Sequence, residues 1–213
     1  MTEKNIPKDG SSNKDAYNTI APDYANYEWE RTDLEELTKK INNLSGCLPL
    51  ESEVLVIGCS AGRESKLLMD LGHKVCSIDY SSALINEAKK RVDGDFRTID
   101  LLELEKEFTP ESFTSIYCGS ALQHIDPKYF NRALELMHGV LTEGGYAIIG
   151  LKEGAEAELF ETHDFEVERT YFLHSEQAVR TAAEEHNFSV IDVWTSIPWE
   201  QDKPIWMNFL LKK

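Results

Sequence analysis

The 213-residue sequence has no long apolar run and few basic residues for its length. No stretch approaches the roughly 18 consecutive apolar residues that a membrane-spanning helix needs. Lys and Arg number 22 against 38 Asp and Glu, and the formal net charge of −16 repels nucleic-acid phosphates. The basic cluster at residues 89–91 falls near the end of a predicted helix, where cations complement the helix dipole. We therefore expect neither a membrane nor a nucleic acid as a partner.

Cysteines are also few, and their spacing excludes the common cysteine motifs. Cys47, Cys59, Cys76 and Cys118 form no C-x-x-C pair and no metal-ligand pattern. Residues 1–15 are polar, lack the apolar run of a signal peptide, and are predicted to be a disordered tail. We expect a cytoplasmic protein with one domain over residues 16–213.

What the chain does contain is a glycine loop between a strand and a helix, in the segment VLVIGCSAG at residues 54–62. Its apolar residues predict a buried parallel strand, and the leucines that follow have helical spacing. Such a turn directs backbone N–H groups and the positive end of the helix dipole at a ligand. A second apolar strand ends in Asp79, where nucleotide-binding α/β folds carry an acid that binds ribose hydroxyls. NAD is disfavoured, because G-x-G-x-x-G would need glycines at Ser60 and Arg63.

The rest of the pattern alternates strands and helices, which predicts a parallel sheet with helices on both faces. The predicted strands are 53–58, 74–79, 95–99, 113–118, 145–151, 189–194 and 205–211, and the predicted helices are 62–71, 82–92, 127–141 and 175–185. Prolines bound the loop before the last strand and favour a terminal antiparallel pair. A capping box at Thr32 and Glu35 predicts a further helix that ends near Gly46. Residues 154–173 show no regular pattern.

Residues 54–62 resemble the first motif of class I S-adenosylmethionine-dependent methyltransferases, usually written V-L-D-L-G-C-G-x-G. The resemblance extends over residues 17–213, through segments 62–65, 71–75, 78–81, 96–101, 113–118, 121–125 and 141–145. It is greatest to small bacterial enzymes with a Lys-Glu-Gly-x-x-x-Glu stretch, here residues 152–158. Val56 stands where the family has an acid that orders the loop or reaches the methionine ammonium, and Ser60 replaces the middle glycine.

The resemblance implies a Rossmann-like, seven-stranded, mostly parallel sheet with an antiparallel last strand. Helices would cover both faces, an N-terminal helical segment would act as a lid, and S-adenosylmethionine would be the cofactor. Within this frame Asp79 is expected to bind ribose, and Tyr80 to pack on the adenine or in the core. The resemblance implies that Asp100 accepts from the adenine amino group and that the Leu101 backbone faces the ring. Arg63 opposes the helix dipole, which an anionic partner such as the cofactor carboxylate would explain.

His124 follows the fourth predicted strand, where a titratable histidine either accepts a proton or has a structural role. Tyr17 and Tyr24 are lid contacts or core aromatics. No metal site is predicted, because the remaining histidines lack ligand spacing with one another. The predicted cofactor-binding residues are Tyr17, Tyr24, Gly58, Cys59, Ser60, Arg63, Asp79, Tyr80, Asp100, Leu101 and Ser120, and the predicted catalytic residue is His124.

The predicted function is methyl transfer from S-adenosylmethionine to a nitrogen or oxygen of a small molecule. Such an in-line displacement depends mainly on positioning, so no nucleophile constellation is needed. The alternative is a binding or regulatory protein of the same fold without transfer activity. The acidic residues Glu153, Glu156, Glu158 and Glu161 favour a neutral or cationic acceptor. Either a monomer or a homodimer is compatible with the sequence.

Overall fold

The predicted strands form one central sheet in the computed structural model, which describes residues 11–32, 34–155, 159–162, 164–196 and 204–213. The strands are β1 (Glu53–Ile57), β2 (Lys74–Asp79), β3 (Asp95–Thr98), β4 (Phe113–Cys118), β5 (Leu141–Lys152), β6 (Leu159–Thr162), β7 (Arg169–Phe172), β8 (Ser189–Ser196) and β9 (Trp206–Lys212). The sheet is seven-stranded, with the order β3-β2-β1-β4-β5-β9-β8. Strands β1 to β5 run parallel, and β9 is antiparallel to both of its neighbours. The predicted fold class is therefore confirmed.

Helices cover both faces of this sheet. They are α1 (Ser11–Glu30), α2 (Glu35–Ser45), α3 (Arg63–Asp70), α4 (Ser82–Arg91), α5 (Leu104–Glu107), α6 (Phe130–Val140) and α7 (Glu176–Glu185). In β1, Leu55 and Ile57 join the core cluster beneath α5, α6 and α7, while Val54 and Val56 join the cluster beneath α2, α3 and α4. This alternation follows from the two-residue period of a strand. Within the described ranges, no helix is long and apolar enough to cross a membrane.

The N-terminal region differs most from the predictions. Helix α1 begins at Ser11, so residues 11–15 are helical where the sequence predicts a disordered tail; residues 1–10 lie outside the described part of the chain. The capping box at Thr32 is wrong, because α2 begins at Glu35 after Leu34 with no side-chain cap. The helix does end at Gly46, as predicted.

Strands β6 and β7 form a separate antiparallel hairpin in the segment for which no pattern was predicted, and this hairpin packs against α1. The buried Asn13 makes a two-point contact with the backbone of β7. Its Nδ2 donates to the Thr170 carbonyl at 2.7 Å, and the Thr170 N–H donates to its Oδ1 at 2.8 Å. The Arg169 guanidinium lies 5.3 Å from the ring centroids of both Tyr17 and Tyr24. We call α1 and this hairpin together the roof.

Replacing Asn13 with alanine is expected to loosen the roof without unfolding the sheet. The change leaves the buried Thr170 N–H without its acceptor, and a lost partner of this kind costs about 1–3 kcal/mol. Amide hydrogen exchange should accelerate in α1 and β7, while protection in β1 and β4 stays at the wild-type level. Asn42→Ala, on the exposed side of α2, serves as the matched control. A uniform acceleration of amide hydrogen exchange across the sheet would contradict a local role for Asn13.

Candidate active site

A cavity of about 990 Å³ lies at the C-terminal ends of the parallel strands, beneath the roof. This is the edge at which open α/β sheets bind their ligands. The predicted site residues that line it are Tyr17, Tyr24, Gly58, Ser60, Arg63, Asp79, Tyr80, Asp100, Leu101, Ser120 and His124. Cys59 does not line it. Its side chain is fully buried in the core cluster of α2, α3 and α4, so only its backbone belongs to the loop.

The glycine loop has the left-handed backbone that its glycines permit. Gly58 has φ +70°, and a Cβ there would lie 2.7 Å from the Ala121 Cβ, so the strand end can approach Ala121 only as glycine. Ser60 has φ +48° although it carries a side chain. Its N–H donates to Asp79 Oδ2 at 3.0 Å and its hydroxyl to Glu28 Oε2 at 2.6 Å. These bonds hold Ser60 where the family motif has glycine.

Asp79 is a buried carboxylate that orders the loop. Oδ2 accepts from the Ser60 N–H, and Oδ1 accepts from the Ser81 N–H at 2.8 Å. Burial raises the pKa of Asp79 to about 6, although both N–H bonds act in the opposite direction. Each oxygen holds one backbone donor, and a carboxylate oxygen has two acceptor positions. Asp79 therefore joins β1 and β2 at the strand ends and keeps acceptor capacity on both oxygens.

Asp100 and Leu101, which are predicted to contact the adenine, follow β3 and line the cavity. Asp100 is exposed, and its Oδ1 accepts from the Leu102 N–H at 2.9 Å, which caps the short turn at Leu101–Glu103. Tyr80 packs against the cluster of Tyr17, Ile20, Ala21 and Leu84 and also lines the cavity. Both predicted roles of Tyr80 are thus compatible with its position.

Arg63, at the first position of α3, has its anionic partner within the protein. Its Nη2 lies 3.1 Å from Glu64 Oε1, and its Nη1 donates to the main-chain oxygen of Glu28 at 2.8 Å. The carboxylate expected from the sequence argument is therefore Glu64 in this structure. The Arg63 Nε is buried and has no partner among the described residues, so the guanidinium retains one donor.

His124 joins the floor of the cavity to the roof through both ring nitrogens. Nδ1 lies 3.2 Å from the Thr170 carbonyl, and Nε2 lies 3.1 Å from the Tyr17 hydroxyl. Asn13 Nδ2 also lies 3.2 Å from Nδ1, but it already donates to the Thr170 carbonyl at 2.7 Å. Because that carbonyl only accepts, we assign the proton to Nδ1, which leaves Nε2 to accept from Tyr17. Burial lowers the pKa of His124 to about 4 and raises that of Tyr17 well above its usual value. The pair is therefore neutral near pH 7.

On the side of β5 and β9, cations and an aromatic ring line the cavity. The Trp206 ring centroid lies 4.3 Å from Lys152 Nζ and 5.2 Å from Lys40 Nζ. Burial lowers the pKa of Lys40 to about 8. Of the acidic residues that favoured a neutral or cationic acceptor, Glu153 does not line the cavity. Glu156, Glu158 and the Glu161 side chain lie outside the described part of the chain.

No group of three or more His, Cys, Asp or Glu side chains in the described residues is arranged to hold a metal ion. The comparisons with known proteins point to one family. Residues 55–149 match the family model of the methyltransferase domain. The matched segment begins within β1, includes the glycine loop and ends within β5. This match covers 95 of the 213 residues and shows that the segment is similar to a methyltransferase domain. S-adenosylmethionine is the cofactor that the resemblance of residues 54–62 implies.

The individual relatives of the chain are distant. An uncharacterized methyltransferase of Oceanobacillus iheyensis is 27% identical over 158 residues, covering 66% of this chain and 70% of the relative. The 1,6-didemethyltoxoflavin-N1-methyltransferase of Burkholderia thailandensis superimposes with a TM-score of 0.75 at 16% identity, covering 95% of this chain and 88% of that one. The [4+2]-cyclase SpnF gives a TM-score of 0.75 at 12% identity, over 94% of each chain. At these identities the two structures establish the shared fold alone.

Several cavity residues were not singled out by the sequence reasoning. They are Glu28, Lys40, Lys152, Arg169 and Trp206. Glu28 had a usable signal, because Tyr17, Ala21, Tyr24 and Glu28 recur at helical spacing along α1. The others reach the site from α2, β5, β7 and β9, and only the tertiary fold brings those elements together.

Proposed function

We propose that the protein is a class I S-adenosylmethionine-dependent methyltransferase, and that it transfers the methyl group to a nitrogen or oxygen atom of a small molecule. The observation that carries the proposal is the Tyr17–His124 pair, which lines the same cavity as the glycine loop. The cavity volume of about 990 Å³ has to hold cofactor and acceptor together. Ligand sites of about 300–1,000 Å³ hold small molecules, so little room remains for a large acceptor beneath the roof.

The residues present fit the cofactor. Gly58 keeps the loop free of a side chain at the strand end, Asp79 retains acceptor capacity for two ribose hydroxyls, and Arg63 retains a donor for a carboxylate. We assign the adenine end to Tyr80, Asp100 and Leu101 and the sulfonium end to Ser120 and the roof residues Tyr17 and Tyr24. Bound S-adenosylmethionine supplies an electrophilic methyl group and a neutral thioether leaving group.

The protein has to position the acceptor and take its proton. As the new N–C or O–C bond forms and the C–S bond breaks, the acceptor loses a proton. We assign this proton to the Tyr17–His124 pair, in which His124 Nε2 is the basic atom and Tyr17 lies between it and the cavity. The Thr170 carbonyl holds Nδ1–H and so keeps the lone pair on Nε2. Roof closure over this pair excludes water.

Screening a metabolite library for S-adenosylhomocysteine formation, with mass-spectrometric detection of a 14 Da gain, tests the proposal. The Burkholderia neighbour is named as an N1-methyltransferase of 1,6-didemethyltoxoflavin, which supports starting the screen with small molecules that carry a nitrogen acceptor. Tight S-adenosylmethionine binding without turnover on any acceptor would favour the alternative, a binding protein of this fold. The proposal also takes the protein to be cytoplasmic, with no nucleic-acid partner, because the described cysteines are free thiols and the surface is acidic.

A further inference from the structure

Strand β1 offers no carboxylate to the glycine loop. Val56, which stands at the family's acidic position, is 1% exposed and packs with Leu37, Ile41 and Tyr117. An acid at this point would be buried in an apolar cluster, which is unfavourable without partners. The loop must therefore obtain a carboxylate from another element if the cofactor's amino group is to be neutralised.

Helix α1 places Glu28 on the loop instead. The Glu28 Oε2 accepts from the Ser60 hydroxyl at 2.6 Å. The backbone around Glu28 is fixed as well, because Arg63 donates to its main-chain oxygen at 2.8 Å and the Trp29 Nε1 donates to the Ala61 carbonyl at 3.0 Å. Glu28 thus lines the cavity from a fixed position, and its contact is with the residue that departs from the family motif.

The surroundings of Glu28 favour a cation. Burial, and after it the nearby Glu64 carboxylate, raise the pKa of Glu28 to about 7. The Ser60 hydroxyl, the Arg63 guanidinium and the Ala61 N–H act in the opposite direction, and Tyr24 and Cys59 face the same carboxylate. An ammonium group beside Glu28 would offset the repulsion from Glu64.

We propose that Glu28 binds the amino group of the methionine end of the cofactor, in the role that the motif acid has in related enzymes. Ser60 orients the carboxylate for this contact, and α1 becomes part of the cofactor site. The inference rests on the cofactor site under the proposed function. It also means that cofactor binding fastens the roof to the glycine loop.

Two ligands separate this role from general effects on the site. S-adenosylhomocysteine carries the amino-acid end, and 5′-methylthioadenosine lacks it but keeps the adenosine. By calorimetry at pH 8, Glu28→Gln should weaken S-adenosylhomocysteine binding about 10- to 100-fold and leave methylthioadenosine binding unchanged. Ser60→Gly should show the same selectivity with a loss of about 2- to 10-fold. Glu30→Gln, at the exposed end of α1, is the matched control and should match the wild type for both ligands.

The pH dependence gives a second readout. Ionised Glu28 binds the ammonium, so wild-type affinity for S-adenosylhomocysteine should rise between pH 6 and 8 relative to methylthioadenosine, around the free-state pKa of about 7. The ratio cancels the titration of Asp79, whose pKa is about 6 and whose ribose contact both ligands share. In the Glu28→Gln variant, the ratio of the two ligand affinities should not change with pH.

Ligand-free stability tests the same carboxylate. The folded-state pKa of about 7 exceeds the ordinary value of 4.5, so ionisation of Glu28 destabilises the folded protein progressively as pH rises between these values. Glu28→Gln should therefore melt at a higher temperature than the wild type at pH 8 without ligand. Unchanged S-adenosylhomocysteine affinity, or equal losses for both ligands, would overturn the proposal. Wild-type binding of neither ligand would instead remove the cofactor site on which it rests.

Discussion

Replacing His124 with alanine should lower kcat by about 10²–10⁴-fold while the affinity for S-adenosylmethionine stays near the wild-type value. The variant removes Nε2, which accepts from the Tyr17 hydroxyl and is the basic atom assigned to the acceptor's proton. The glycine loop and Asp79 do not contact His124 through any hydrogen bond between described residues, so cofactor binding should survive. Once an acceptor is found, steady-state kinetics and calorimetry on the same preparation measure both effects.

Tyr17 provides the companion variant. If Tyr17 and His124 act as one unit, Tyr17→Phe should also reduce kcat, and the double variant should be little slower than the slower single variant. His186→Ala, which alters a histidine away from the cavity, is the control. Additive losses in the double variant, or full activity of His124→Ala at neutral pH, would remove the pair from proton transfer and leave positioning as the means of catalysis.

The pH profile adds a constraint from the burial of His124. Its pKa of about 4 keeps the imidazole neutral throughout pH 6–8, so His124 itself should produce no change in kcat there. Protonation removes the Nε2 lone pair, and kcat should therefore fall only as the pH drops towards 4. A fall centred near pH 6.5 would indicate an imidazole with an ordinary environment and would contradict a closed roof during turnover.

The sheet was predictable because its strands carry their own pattern. The apolar run at β1, the small-residue turn after it and Asp79 at the end of β2 are local features, and each specifies one step of the parallel fold. The same local information singled out Gly58 and Asp79, which line the cavity. The boundary of β5 differs, since the strand begins at Leu141 rather than residue 145, directly after α6 ends.

The roof was not predictable in the same way. Helix α1 contains Pro22, which removes a backbone donor, and its polar residues do not separate cleanly from its apolar ones. The hairpin of β6 and β7 is held to α1 by contacts such as Asn13 with Thr170, 157 residues apart in the chain. Contacts of this range leave no periodic signal. The partnership of Ser60 with Glu28 was hidden for the same reason, although each residue is visible in the sequence.

Changing Asp79 to alanine should reduce the affinity for S-adenosylhomocysteine by about 1.5–3 kcal/mol, or about 10- to 150-fold. The variant removes the carboxylate assigned to the ribose hydroxyls and also leaves the Ser60 and Ser81 N–H groups without their acceptor. Asp79→Asn retains one acceptor oxygen, so its affinity for S-adenosylhomocysteine should fall by less than that of Asp79→Ala. Binding by the wild type should weaken as the pH falls below about 6, where Asp79 becomes protonated.

The ligand pair used for Glu28 gives the decisive contrast for Asp79. Both S-adenosylhomocysteine and 5′-methylthioadenosine contain the ribose, so Asp79→Ala should weaken the binding of both ligands by the same factor. Glu28→Gln, in contrast, should weaken only the binding of S-adenosylhomocysteine. Asp93→Asn is the matched control, because this aspartate is exposed and does not line the cavity. Its effect should be smaller than that of Asp79→Ala. An unchanged dissociation constant in a folded Asp79→Ala protein would place the ribose elsewhere in the cavity and reduce Asp79 to the residue that orders the loop.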